Sequence, residues 1–144
     1  MFETYRVWYD MPPDRSKASA YLKARLDSSE ATVFVAELTD TCGAQRLVGF
    51  ALFYPCFSSM QMKRQYLLND LFVEAEHRGK GISKLFMARA KQLVLENEAA
   101  GFTLETQKSN VVGNHLYTSS GMKMMSEDHN YYEWQVSDQV KPSA

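Results

Sequence analysis

The chain has 144 residues, 45% hydrophobic and 23% charged, which is ordinary globular usage and excludes a disordered tract. Lys+Arg of 16 against Asp+Glu of 17 leaves no basic surplus, so nucleic acid, whose binding draws on phosphate neutralisation, is not expected as a partner. No apolar run is long enough for a bilayer, the N-terminus lacks the layout of a secretory leader, and Cys42 and Cys56 form neither a metal spacing nor a disulfide framework. The expectation is one cytoplasmic domain over 1–144 with free thiols and no membrane partner.

In chain order, Phe2, Tyr5 and Tyr9 share one helical face, predicting a short helix over Phe2–Asp10. Met11-Pro12-Pro13 stops it. Asp14 or Ser16 can cap a second helix, Arg15–Leu26, with Ala18, Tyr21, Leu22 and Leu26 as its apolar face. Thr32–Leu38 and Leu47–Tyr54 read as strands of an antiparallel hairpin turning through Thr39–Gly43, and Gly49 inside the second predicts a bulge or a close backbone approach. Pro55–Lys63 reads as a loop and Tyr66–Val73 as the central strand. A charged turn, Glu74–Gly81, precedes a helix from Ile82 to about Asn97, in which Ile82, Leu85, Phe86, Ala90, Leu93 and Val94 recur at helical spacing. Phe102–Thr106 is a short strand, Asn110–Ser119 a helix, and Met122–Met125 with Tyr131–Val136 a closing hairpin. The chain thus divides into a helical part over 1–31, a sheet and cofactor-binding core over 32–137, and a loose tail over 138–144.

The stretch 66–92 carries the chemistry. A strand, a glycine-containing turn and a helix make an anion site: the helix start leaves backbone N–H groups without partners, and the aligned peptide dipoles favour negative charge there. Gly79 and Gly81 let the backbone approach a ligand that a Cβ would obstruct, and Arg78, Lys80 and Lys84 add positive charge. These residues predict a phosphate-bearing ligand, a diphosphate, at the head of this helix.

The turn Arg78-Gly79-Lys80-Gly81-Ile82-Ser83, placed after Leu71-Phe72-Val73, resembles the acetyl-coenzyme A motif of the GCN5-related N-acetyltransferases, in which the last position is Gly or Ala and here is Ser83. The resemblance implies an α/β (α+β) fold with a mixed, mostly antiparallel central sheet flanked by helices. It also implies a first strand ahead of the equivalent of Phe2, missing from this sequence. Thr32–Leu38 is then an unpaired edge, and unpaired edges recruit other chains, so a homodimer is expected.

By resemblance, the backbone of Leu71, Phe72 and Val73 holds the pantetheine arm and thioester of acetyl-CoA, the cosubstrate. Arg78 and the amides of Gly79, Lys80, Gly81, Ile82 and Ser83 take the diphosphate, and Asn110 contacts the same ligand. Tyr117 is the expected acid for the departing thiolate, its phenol having an ordinary pKa of about 10. Some relatives carry a glutamate where Asn69 stands, and Asn cannot accept a proton. Asp70 is therefore the expected base, with Glu37 and Glu105 as further candidates. Adjacent strand positions face opposite ways, so Asn69 and Asp70 view the same side only if a bulge intervenes.

Each of these residues has a structural alternative: Asn110 as a helix cap, Tyr117 as a core aromatic, Asp70 as a carboxylate bonded to local backbone. His77 and His115 read as surface residues, and with His129 distant in sequence the three have no zinc spacing, so no metal is expected. The implied reaction is transfer of an acetyl group to a primary amine of a small molecule or peptide by direct attack in a ternary complex. Tyr5, Trp8, Tyr9, Tyr54 and Phe57 are the aromatics available to line the acceptor's pocket. A non-catalytic acyl-CoA-binding module on the same fold is the alternative. A dinucleotide-binding domain fits less well, since Lys84 stands where its third glycine belongs.

Overall fold

The two strands with the longest apolar runs take the centre of the sheet. β2 (Gln45–Ser58) and β3 (Lys63–Val73) form a long antiparallel hairpin. It is flanked by β1 (Thr32–Thr39), antiparallel to β2, and by β4 (Phe102–Thr103), parallel to β3. The structure, a computed structural model, describes residues 1–125. Helices α1 (Phe2–Trp8) and α2 (Arg15–Asp27) precede the sheet; α3 (Ile82–Glu96) and α4 (Val111–Ser119) follow β3 and β4. The result is the mixed α/β architecture expected, mostly antiparallel and covered by helices on both faces.

Strand periodicity sorts the side chains into two layers. Ala51, Phe53, Tyr66, Leu68 and Val73 meet Phe86, Met87, Ala90 and Leu93 of α3. On the opposite face Phe50, Leu52 and Phe72 meet Ala31, Phe2, Tyr5 and Leu22. Phe53, Leu52, Met87 and Val48 are wholly buried, each contributing about 1.5–3 kcal/mol. The exposed Lys23–Asp27 ion pair at 2.6 Å contributes about 0.2–1 kcal/mol, so apolar burial holds these layers together.

On β3 the alternation reverses. Tyr66 and Leu68 belong to the α3 layer, yet Phe72 belongs to the α1/α2 layer. The cause is a bulge: Leu52 stands opposite Asp70 and Phe53 opposite Leu68, leaving Asn69 as an extra residue. Gly49 combines a second irregularity with a close approach. It pairs with Ala36 beside the register shift at Ala36/Glu37, and a Cβ there would lie 2.8 Å from the Phe72 carbonyl oxygen.

Several expected boundaries move. β2 continues through Pro55 to Ser58 and β3 starts at Lys63, so the expected Pro55–Lys63 loop shrinks to a tight turn. Proline is tolerated there because β1 stops opposite Phe53, leaving one side of the strand with no ladder to break. The strand expected over Phe102–Thr106 is cut to Phe102–Thr103, because β4 runs beside β3 only at Tyr66 and Leu67 before the two diverge. Met122–Met125 form no strand, and Tyr131–Val136 with the tail lie outside the described residues. α1 ends at Trp8, with Asp10 at φ 59° ahead of the two prolines. Asp14 caps α2, accepting from the Lys17 amide at 2.9 Å. Of the α2 face expected to be apolar, Ala18 is buried and Leu22 half-buried, whereas Tyr21 and Leu26 are exposed.

Candidate active site

The glycine turn lies open. Gly79 (φ 73°) and Gly81 (φ 82°) adopt the left-handed conformation that glycine enters without penalty. At both positions no atom lies within 4 Å of where a Cβ would stand. Gly81 caps α3 with no side-chain bond, and the Lys84 and Leu85 amides return to its carbonyl oxygen. The amides of Ile82 and Ser83 come before the first intrahelical partner. Lys80 and Lys84 are exposed. Arg78 Nε donates to the Val73 carbonyl oxygen at 2.9 Å, tying the turn to the strand end. Free amides, a helix N-terminus and three cations around open backbone fit a diphosphate. His77, expected on the surface, is half-buried, and both ring nitrogens are shut from solvent with no partner among the described residues.

From Leu68 to Val73 no described strand flanks β3 on the β4 side. The side chains of Phe72 and Val73 are buried and that of Leu71 is half-buried against the α3 layer. What this stretch can offer a ligand along its open edge is therefore backbone N–H and C=O groups.

The bulge decides where Asp70 goes. It turns the side chain into the α1/α2 layer, where Asp70 is buried (7% exposed) among Phe50, Leu52 and Phe72. Asn69 stays exposed, and its Nδ2 donates to Asp70 Oδ2 at 3.1 Å. From α1 the Tyr5 hydroxyl faces the same carboxylate, and Tyr9 stands beside Tyr5 with ring centroids 5.0 Å apart. Burial pushes the Asp70 carboxyl above its ordinary value, while the donors Asn69 and Tyr5 pull it back in part. The Tyr5 phenol is itself driven far up by burial and by the neighbouring carboxylate, so it stays protonated and remains a donor.

Tyr117 arrives from the other layer. It is half-buried on the α3-side core, the same core against which Leu71 and Ile82 pack. Burial, then Tyr9, raises its phenol. Tyr9, just beyond α1, thus lies near both Tyr5 and Tyr117. Asn110 caps α4: its Oδ1 accepts from the Gly113 amide at 3.0 Å, and its Nδ2 donates to Thr106 Oγ1 at 2.9 Å. Each bond leaves capacity for a ligand. Gly113, a position the periodicity did not mark, is fixed by this contact, since a Cβ there would fall 2.4 Å from Asn110 Nδ2.

Not every expected residue gathers here. Tyr54 does, and its hydroxyl lies 2.9 Å from that of Tyr21, with the Arg25 guanidinium 5.6 Å above the Tyr21 ring. Tyr21 lies on the apolar stripe expected of α2, and such a stripe gives no sign that its hydroxyl meets another. Trp8, exposed, packs edge-on to Tyr9 at 4.8 Å. Phe57 does not join them: it sits at the far end of the β2–β3 hairpin beneath Arg64, 77% exposed. Glu37 and Glu105 are exposed, Glu37 lying opposite Leu47 on the edge strand. Hollows of about 380 and 420 Å³ lie between α1 and α2 and at the hairpin tip, and neither is lined by Asp70, Tyr117 or the glycine turn. Among the described residues no group of His, Cys, Asp or Glu could hold a metal, and no helix is long and apolar enough to cross a membrane.

The comparisons with known proteins bear on the chain as a whole. The sequence model of the Acetyltransferase (GNAT) family matches residues 1–122. The chain belongs to the GNAT family. GNAT enzymes use acetyl-CoA as cosubstrate, and this chain is an acyltransferase of that family. It is 38% identical to the uncharacterized N-acetyltransferase YhfO of Bacillus subtilis (strain 168) over 121 residues, 84% of this chain and 78% of that one. A thialysine N-epsilon-acetyltransferase of Sus scrofa is 25% identical over 94 residues, 65% of this chain and 55% of its own. Among solved structures, a probable acetyltransferase superposes with a TM-score of 0.84 at 32% identity, covering 93% of this chain and 87% of that one.

Proposed function

We propose that this GNAT enzyme transfers the acetyl group of acetyl-CoA to a primary alkyl amine that binds as its cation, by direct attack in a ternary complex. The observation that carries the reading is the placement of Asp70. It is the one buried charged side chain among the described residues, and Tyr5 and Tyr54 crowd it in a layer otherwise apolar. A carboxylate in a layer rich in aromatic residues suits an alkyl ammonium by charge, and aromatic rings near it add cation–π attraction. The relative named for thialysine N-epsilon acetylation is in keeping with such an acceptor.

The residues divide the work as follows. Gly79–Ser83 with Arg78 and Lys80 hold the diphosphate, Asn110 adds a contact, and the open edge at Leu71–Val73 aligns the thioester. Asp70 removes a proton from the bound ammonium, and the freed lone pair attacks the thioester carbonyl carbon. As the C–S bond breaks, the Tyr117 hydroxyl passes its proton to the leaving sulfur. The second N–H proton of the attacking nitrogen goes to solvent, which reprotonates Tyr117. A phenol raised by burial is protonated at neutral pH, as an acid requires.

A panel of amines with acetyl-CoA, followed by thiol release, tests this. Turnover should be greatest with unhindered alkyl amines protonated at pH 7 and weak with neutral aromatic amines. Equal turnover of both classes overturns the acceptor assignment, and acetyl-enzyme formation without any acceptor overturns direct attack.

A further inference from the structure

The bulge in β3 is pinned by the two cores on either side of it. Tyr66, Leu68 and Val73 belong to the α3 layer, Phe72 to the α1/α2 layer, and Asp70 stands opposite Leu52 of that same layer. These faces fit one strand only if an extra residue separates Leu68 from Asp70, and Asn69 is that residue. In a regular strand its side chain would point away from that of Asp70. Here its Nδ2 donates to Asp70 Oδ2 at 3.1 Å, from an exposed position to a buried one. The other groups near the carboxylate are phenols: Tyr5 of α1, with Tyr9 beside it, and Tyr54 of β2, whose hydroxyl lies 2.9 Å from that of Tyr21. Arg25 of α2 sits over the Tyr21 ring and pairs with Glu30 at 2.6 Å, and no salt bridge among the described residues includes Asp70. Without a cation, a carboxylate in an apolar layer depends on neutral donors to ionise. Asn69 supplies the hydrogen bond that the geometry defines.

We propose that Asn69 is a positioning residue for acetyl transfer, its amide holding one oxygen of the Asp70 carboxylate and so aiming the other at the acceptor amine. The proposal rests on the reading of Asp70 as proton acceptor. It makes the bulge part of the catalytic apparatus, since the hydrogen bond exists only where two successive side chains meet. A neutral amide suits the task. A lysine at this position would neutralise the carboxylate and lower its basicity, and a glutamate would repel it. An amide favours the ionised carboxyl and restricts its rotation while leaving its charge for the ammonium.

Asn69→Leu keeps the size of the side chain and deletes the donor. Asn69→Ala deletes it with less bulk and covers the case of N69L failing to fold. Carboxyl-labelled protein, with Asp70→Asn identifying the resonance, reports the Asp70 titration by NMR whether or not an acceptor is known. The midpoint should move to higher pH in both variants, and the ascending limb of kcat/KM should move with it. At pH 7 kcat should fall about tenfold, the low end for a hydrogen bond to a charged group, with KM for acetyl-CoA unchanged. A side chain that only fills the bulge would alter thermal stability and leave the midpoint in place. An unmoved midpoint in either folded variant, with D70N inactive, overturns the proposal alone. Full turnover in D70N would remove the base, and the catalytic meaning of Asn69 with it, whatever the midpoint does.

Discussion

Asn69 and Asp70 are neighbours on β3, yet the amide of one donates to the carboxylate of the other at 3.1 Å, because the bulge at Asn69 breaks the rule that adjacent strand residues face apart. Asn69 is exposed and cannot take a proton; Asp70 is buried and can. Asp70→Asn, nearly isosteric, should lower kcat about 10²–10⁴-fold, the usual contribution of a positioned acid or base. Acetyl-CoA affinity by calorimetry should stay near wild type. A D70N enzyme with wild-type turnover would return the base to solvent.

The same substitution has a consequence for stability. The Asp70 carboxyl of the folded chain sits above its unfolded value because burial disfavours the charge. Between those two values the folded state holds a proton that the unfolded chain has lost, so stability falls as pH rises through that window and the deficit is complete above it. D70N should therefore unfold at a higher temperature than wild type at pH 7. The gap should close as pH drops below the ordinary carboxylate value of about 3.9. Thermal unfolding at several pH values measures this, and a gap that widens toward acid contradicts the buried-charge account.

Tyr117→Phe should separate chemistry from binding. The ring keeps its place on the α3-side core while the proton for the leaving sulfur is lost. Turnover should drop about 10²-fold, with little change in the acetyl-CoA dissociation constant. The loss should shrink for thioesters whose thiolates are stable unprotonated. Equal losses across leaving groups would remove Tyr117 as the acid.

The glycine turn and most of the helices were legible in the sequence because their signals are local. Asp14 and Asn110 announce caps, and α3 shows its apolar stripe. The hairpin's true length was hidden by Pro55, which reads as a terminator unless β1 is known to stop at Phe53. The arrangement around Asp70 was hidden for another reason. No periodicity marks Asn69 as the extra residue, since a run such as Tyr66–Val73 is apolar on either register. Tyr21 sits on the apolar stripe of α2 because a tyrosine's ring satisfies the apolar pattern, whatever its hydroxyl meets.

Gly81→Ala tests the anion site without touching a charged side chain. A Cβ there meets open space, so the penalty is conformational, about 1–2 kcal/mol for an L-residue at φ 82°. Part of that strain would be relieved by swinging the Ile82 and Ser83 amides off line, and the methyl would stand where phosphate oxygens approach. Acetyl-CoA affinity should therefore weaken about tenfold or more, the equivalent of 1.4 kcal/mol, while affinity for a pantetheine thioester lacking the diphosphate should hold. Comparing the two ligands by calorimetry on wild type and G81A decides the matter. Equal weakening of both would place the damage at Leu71–Val73, and no weakening of either would move the diphosphate away from the head of α3.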